Sequence, residues 1–190
     1  QYAAATTATV CDEVYRTLMK MRWQPSLQII PHYESEPLYI NSLKNSLEKK
    51  ISELGWEPDL VVASYHGIPK KYFSKGDPYH CYCQKTSRLL SEKFKKIPIK
   101  TTFQSRFGPQ EWLQPYTDKT LENLPKEGKK NILVICPGFS SDCVETLEEI
   151  SIQGKESFIK NGGKNFDVVP CLNDNDDHIA LLQHLAEKFI

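Results

Sequence analysis

Two short runs constrain this chain more than anything else in it: Leu60-Val61-Val62-Ala63-Ser64-Tyr65 and Ile132-Leu133-Val134-Ile135-Cys136, apolar at nearly every position. A strand with one wet face alternates polar and apolar residues. A strand that is apolar almost throughout is buried on both faces, the condition of a parallel sheet covered by helices. Helical patterns surround the two runs. Thr6 to Met21 repeats Val10, Val14, Leu18 and Met21 at three- to four-residue spacing, and Leu38 to Leu54 lines up Leu38, Leu43, Leu47, Ile51 and Leu54 behind Pro37. His80 to Lys95, Thr117 to Leu124, the segment from about Glu145 to about Lys160 ahead of Gly162-Gly163, and Asp176 to Phe189 read as further helices. Leu27 to Ile30, Ile99 to Phe103 and Phe166 to Pro170 read as three more strands. Strand and helix thus alternate about five times, which predicts an α/β fold, a Rossmann-like parallel sheet flanked by helices on both faces.

In such a sheet ligands bind beyond the carboxyl ends of the strands. Three loops there carry unusual residues: His66-Gly67-Ile68-Pro69, Gln104 to Pro115, and Pro137 to Glu145. The loop from Gln104 to Pro115 is long for a plain connector, and long ordered loops are often functional. Neither GxGxxG nor GxxxxGK[ST] occurs, which argues against a nucleotide-binding Rossmann domain. Lysine plus arginine equals aspartate plus glutamate at 24 each, a balance that argues against a nucleic-acid partner. No apolar run approaches the roughly 20 residues that span a bilayer, and no signal peptide is visible. Six scattered cysteines, Cys11, Cys81, Cys83, Cys136, Cys143 and Cys171, suit a reducing compartment rather than a disulfide framework. Cys81-x-Cys83 beside His80 is the only close pair, and zinc or iron–sulfur sites usually need a second cluster. Gln1-Tyr2-Ala3 carries no initiator methionine and runs almost directly into a helical pattern, so the chain reads as a fragment or a processed product.

Several residues in these loops can carry chemistry. His66 follows an apolar strand, where a neutral imidazole can accept a proton near neutral pH. Glu145 and Glu149 are four apart and share one helix face, with Glu148 off it. Acidic residues in a first helical turn complement the helix dipole, but like charges at this spacing repel, so a cation is the other explanation. Imidazole with carboxylate suits ferrous iron or another first-row metal. Phe107, Trp112, Tyr116 and Phe139 supply flat apolar surface, or ordinary packing. Arg106 can pair with an anionic ligand group or with a surface acid. A base, an acidic helix and an aromatic wall together suit a flat apolar ligand that loses protons and receives a metal.

Longer motifs point the same way. Val62-Ala63-Ser64-Tyr65-His66-Gly67-Ile68-Pro69, Gly76-Asp77-Pro78-Tyr79, Phe103-Gln104-Ser105-Arg106-Phe107-Gly108-Pro109 with Trp112-Leu113 and Pro115-Tyr116-Thr117, and Cys136-Pro137-Gly138-Phe139 with Ser141 to Ile150 resemble the ferrochelatase family, in order and across essentially the whole chain. The resemblance implies a chelatase-like fold and the insertion of ferrous iron, as substrate, into protoporphyrin IX at the last step of protoheme synthesis. It implies that His66 and Glu145 are catalytic, that His66, Glu145 and Glu149 meet the metal, and that Trp112, Phe139, Arg106, Ser105 and Asp142 bind porphyrin, with Asp142 hydrogen-bonded close to the histidine. It further implies that residues 1–190 are the carboxyl-terminal half of a two-domain enzyme. Helices 6–21 and 176–189 then face the other half, and their exposed surface invites self-association. The expected location is cytoplasmic, with peripheral contact to the inner membrane. Cys143 and Gln153 stand where some members carry histidine and a third acid. The cysteines that hold a cluster in animal members lie in an extension beyond the last residues matched here, so no iron–sulfur cluster is expected. A chelatase that inserts cobalt or nickel into another tetrapyrrole, or a porphyrin- or metal-binding half without turnover of its own, remain the alternatives.

Overall fold

The computed structural model describes residues 1–189. Its centre is a four-stranded, fully parallel sheet in the order β2-β1-β3-β4, formed by β1 (Leu60–His66), β2 (Ile99–Gln104), β3 (Asn131–Ile135) and β4 (Asn165–Val168). β1 pairs with β2 from Val61↔Ile99 to His66↔Gln104 and with β3 from Leu60↔Ile132 to Ala63↔Ile135. The two apolar runs are therefore the two central strands, and every residue of Leu60–Tyr65 is buried. The carboxylate of Asp59 accepts the N–H groups of Lys130 and Asn131, each at 2.8 Å, and fixes where β3 starts.

Alternation along the strands divides the core in two. Val61, Ala63 and Tyr65 with Leu133 and Ile135 pack against α2 (Pro37–Glu53), α4 (Tyr79–Lys93) and α7 (Asp176–Glu187), through Leu43, Leu47, Cys83, Leu90, Leu181 and Leu185. Val62 with Ile132 and Val134 packs on the opposite face against α5 (Thr117–Asn123), α6 (Lys155–Lys160) and a π-helix (Glu145–Gly154), through Leu121, Ile150 and Phe158. The helices start where the chemistry requires. Pro37 opens α2, Asp77 accepts from the N–H of Tyr79 at 2.9 Å, and Asn175 accepts from the N–H of His178 at 2.8 Å.

The structure departs from the sequence reading in four places. Leu27–Ile30 is not a strand. It lies against Thr6, Val10 and Val14, outside the four-stranded sheet. The first helix is shorter than expected: α1 (Thr9–Leu18) continues a π-helical turn at Ala4–Ala8, and none of its residues is buried. The segment 66–79 contains a short helix, α3 (Lys70–Ser74). The helix expected after Pro137-Gly138 is a π-helix for its first ten residues and becomes α only at Lys155. Unlike α1, the last helix has a partner within this chain, because His178, Leu181 and Leu185 are buried in the layer it shares with α2, while Ile179 and Leu182 of its expected apolar face stay exposed.

The sheet order places β1 and β3 side by side, with β2 leaving to one side and β4 to the other. That is a topological switch point, where adjacent strand-end loops diverge and leave a crevice. His66 ends one of those strands, and the loop after the other leads to Glu145.

Candidate active site

Register decides which side chains reach the crevice. Ser64, His66, Thr102 and Gln104 occupy paired positions on one face, since Ser64 lies opposite Thr102 and His66 opposite Gln104. This is the face of Val62, against which the π-helix packs. A polar Ser64 in an otherwise apolar strand is thereby explained. Its hydroxyl donates to Gln104 Oε1 at 2.7 Å and lies 2.9 Å from the Thr117 hydroxyl, which is 2.9 Å from that of Thr102. Buried hydroxyls find partners in this way because an unpaired one is costly.

Above them is a cavity of about 860 Å³, lined among others by Gln104, Ser105, Arg106, Phe107, Trp112, Glu145, Glu149 and Gln153. Trp112 is buried, and its indole N–H donates to the carbonyl of Phe107 at 3.0 Å, which sets the plane of the ring. Phe107 itself is 75% exposed. His66 sits beside this cavity, its ring centre 6.5 Å from that of Trp112 and 6.4 Å from that of Phe139. Its Nδ1 lies 2.6 Å from the carbonyl oxygen of Gly67, which can only accept. Nδ1 therefore carries the hydrogen in the neutral ring, and Nε2 keeps a lone pair for a proton or a metal. The backbone of His66 is held from below, where the hydroxyl of Tyr79 donates to its carbonyl at 2.8 Å. Gly67 cannot be larger, since a Cβ there would lie 2.8 Å from the Gln104 carbonyl oxygen and 3.1 Å from the Trp112 ring.

The π-helix presents its acids to the same cavity. Glu145, Glu148, Glu149 and Gln153 all reach the lining. This corrects the expectation that Glu148 points off the face of Glu145 and Glu149, since residues three and four apart are neighbours along a helix. Glu148 accepts from Gln153 at 3.2 Å. The Glu145 carboxyl is held below the usual carboxylate range, first by the Cys143 thiol that donates to it, then by a backbone N–H, with His66 near enough to add an attraction. Burial and the same pairing push the Cys143 thiol up. Glu149 is held otherwise, by the N–H of Ser105 on Oε1 at 2.7 Å and the Ser105 hydroxyl on Oε2 at 2.5 Å.

Three residues expected at the porphyrin have partners within the protein. Ser105 is turned to Glu149. Arg106 pairs with Asp118 at 2.7 Å and lies 4.3 Å over the Tyr116 ring, so the acid it meets is an aspartate of α5. Asp142 is turned away from this cavity and from His66. It bonds to Asn173, Thr146 and the N–H of Cys171, and it lines a smaller hollow with Leu147, Ser151 and Phe166. Burial alone would raise its carboxyl, but the donors Asn173, Cys171 and Thr146 outweigh burial and hold it low. The sequence reading missed Gln104, Tyr79 and the Cys143–Glu145 pair. Only the place of Gln104 at a strand end signalled it. Cys81 is exposed while Cys83 is buried, so the close pair does not face one centre. Among the described residues no three His, Cys, Asp or Glu groups already stand close enough to hold a metal, and no helix is long and apolar enough to cross a membrane.

The site as built offers one free imidazole nitrogen, a line of carboxylates and two aromatic rings around an open cavity. Comparison with known proteins agrees with that chemistry. The family model described as ferrochelatase matches residues 1–189. The ferrochelatase of Rhizobium meliloti (strain 1021) is 58% identical over 190 residues, covering 99% of this chain and 56% of its own length. That of Allorhizobium ampelinum is 57% identical, covering 99% and 55%, and that of Brucella anthropi is 50% identical, covering 99% and 54%. The chain spans about half the length of the curated relatives it matches.

Proposed function

Because this chain belongs to the ferrochelatase family, we propose that its cavity is one wall of a cleft in which ferrous iron is inserted into protoporphyrin IX to give protoheme. The observation that carries the reading is His66. Its Nε2 is free, its ring is flanked by Trp112 and Phe139, and the glutamate line of the π-helix begins near it. A porphyrin is flat, apolar at its centre and must lose two pyrrole protons as the metal enters. The rings of Trp112 and Phe139 supply surface for the macrocycle. Nε2 of His66 takes a proton or meets the metal, and Glu145 stands next to it as the carboxylate for the other role. Glu149 continues the acidic line away from the histidine, and Gln153 ends it with a neutral group.

The domain arrangement follows in the same proposal. The relatives are nearly twice as long, and α1 with Leu27–Ile30 presents the apolar surface on which the remaining length would pack. Full turnover requires that second wall, and the chain alone is a binder of porphyrin with little or no turnover. The cytoplasm, with contact to the inner membrane for delivery of an apolar substrate, is the location this reading expects.

The test is an insertion assay followed by porphyrin absorbance and fluorescence. It compares the chain alone with the chain joined behind the amino-terminal part of one of its longer relatives. The joined protein is expected to turn over while the chain alone only shifts the porphyrin spectrum. Failure of the joined protein to insert iron, or insertion by the isolated chain at the same rate, sinks the reading. Competition between ferrous, cobalt and nickel ions in the same assay decides the metal.

A further inference from the structure

A free neutral imidazole in water favours the hydrogen on Nε2. In His66 the Gly67 carbonyl lies 2.6 Å from Nδ1 and holds the ring in the other form, the one that leaves a lone pair on Nε2. The acceptor that enforces this belongs to a glycine, the residue least able to hold its own carbonyl in one direction. The Gly67 carbonyl must therefore be fixed by what surrounds it.

The peptide unit between His66 and Gly67 is gripped at both ends. Its N–H donates to the Gln104 carbonyl at 2.8 Å, which continues the pairing of β1 with β2. Its C=O accepts from the Tyr79 hydroxyl at 2.8 Å. Tyr79 opens α4 and is buried in the core layer on the face of the sheet away from the cavity. It is firmly seated, since Asp77 accepts from its N–H at 2.9 Å and from the N–H of Ala4 at 2.8 Å. Burial pushes the phenol up, so Tyr79 remains a donor at any working pH, and its one hydrogen has the carbonyl to go to. One residue beyond Gly67, the Ile68 carbonyl accepts from the N–H of Leu113 at 3.0 Å. The Gly67 carbonyl thus lies between two anchored peptide units, and the anchor of the first that is not a strand bond is Tyr79. The loop after β3 is held in a similar way, by the Tyr39 hydroxyl donating to the Pro137 carbonyl from the same core layer.

Building on the metal-insertion reading of this site, we propose that Tyr79 is a positioning residue that selects the tautomer of His66. It touches neither porphyrin nor metal. By fixing the peptide plane between residues 66 and 67 it keeps the Gly67 carbonyl at Nδ1, and so keeps the lone pair on Nε2, where a proton or metal can be taken.

The test reads the ring nitrogens directly, by long-range ¹H–¹⁵N NMR on the ¹⁵N-labelled chain at about pH 8.5, where an imidazole is neutral. The chain has five histidines, and the spectrum of H66Q identifies the signals of His66. In the unaltered chain the Nδ1–H form is expected to dominate. Y79F should move the ratio of the two forms toward Nε2–H by roughly three- to tenfold, the worth of one hydrogen bond. With 4-aminophenylalanine at position 79, a weaker donor in the same place, the ratio should lie between the two. Y39F loses the same kind of bond at the other loop and should leave the His66 ratio unchanged. In the joined protein Y79F should lower kcat by roughly the same three- to tenfold with KM for porphyrin unchanged. A dominant Nε2–H form in the unaltered chain overturns the proposal. So does a ratio unchanged in every Tyr79 variant that folds, or an equal shift in Y39F. If the tautomer series comes out as expected while the joined protein fails to insert iron, the positioning role stands and the insertion reading is what fails.

Discussion

At the scale of single residues, the site depends on groups whose partners leave them one defined capacity. Gly67 takes the Nδ1 hydrogen of His66 and leaves Nε2 open. His66→Ala in the joined protein should cut iron insertion by at least about a hundredfold, the usual worth of a positioned acid–base group, while the melting temperature stays within a degree or two. Asp142 acts on structure instead. It accepts from Asn173 Nδ2 at 2.8 Å, and its own N–H donates to Asn173 Oδ1 at 2.8 Å, so the loop after β3 and the loop after β4 are locked together. Its pKa is depressed on folding, so it stabilises the fold above the unfolded value of about 3.9 and ceases to do so as the pH falls through the folded value. Asp142→Asn should therefore cost about 1–3 kcal/mol at pH 7, and the gap from the unaltered chain should narrow at pH 3 in urea melts. The sequence placed His66 at a strand end and Glu145 and Glu149 on a helix, where the structure has them, and Trp112 in the long loop that lines the same cavity. It set Asp142 beside the histidine, whereas a short polar side chain on a loop takes whichever partner the next loop brings, here Asn173; of the two partners open to Arg106, the structure shows the acid, Asp118.

At the scale of elements, the two central strands were legible from apolar runs and β2 and β4 from shorter, mixed segments, and Leu27–Ile30 failed because three apolar residues in four do not say whether a neighbouring strand exists. The π-helix was illegible for a physical reason. Its wider turns are held by single contacts that no apolar period announces: Gln104 on the Glu145 carbonyl, Ser151 Oγ on the Thr146 carbonyl at 2.8 Å, and Gly154 packed where a Cβ would sit 3.1 Å from Leu121. The run joins α6 over Phe158, which is fully buried. A Cβ on Gly163 would fall 2.2 Å from the Phe158 ring, so the turn and the ring are fitted to each other. Phe158→Ala is expected to cost about 3–5 kcal/mol, and Gly163→Ala about 1–3 kcal/mol by displacing the same ring, both read by chemical denaturation.

At the scale of the whole molecule, one side of the chain is finished and another is not. The sheet is covered on both faces by helices of this chain, whereas α1 and the segment after it expose Val10, Met19 and Trp23 at 64%, 84% and 76%. A contiguous apolar face of this kind drives association. The isolated chain is expected to sediment above its 21.8 kDa mass, and Val10→Glu with Met19→Glu should return it to a monomer without lowering the melting temperature. The strand order has a consequence of another sort. His66 and Ser105 belong to the β1–β2 side of the switch point, and Glu145 and Glu149 to the β3–β4 side. The chain passes from one side to the other once in this stretch, through the exposed turn Lys126–Gly128. Cutting that turn would yield two fragments, each carrying half of the proton and metal chemistry and neither carrying both. The protein is thus laid out as a natural split reporter, in which recovery of the site measures how tightly two pieces of polypeptide find each other.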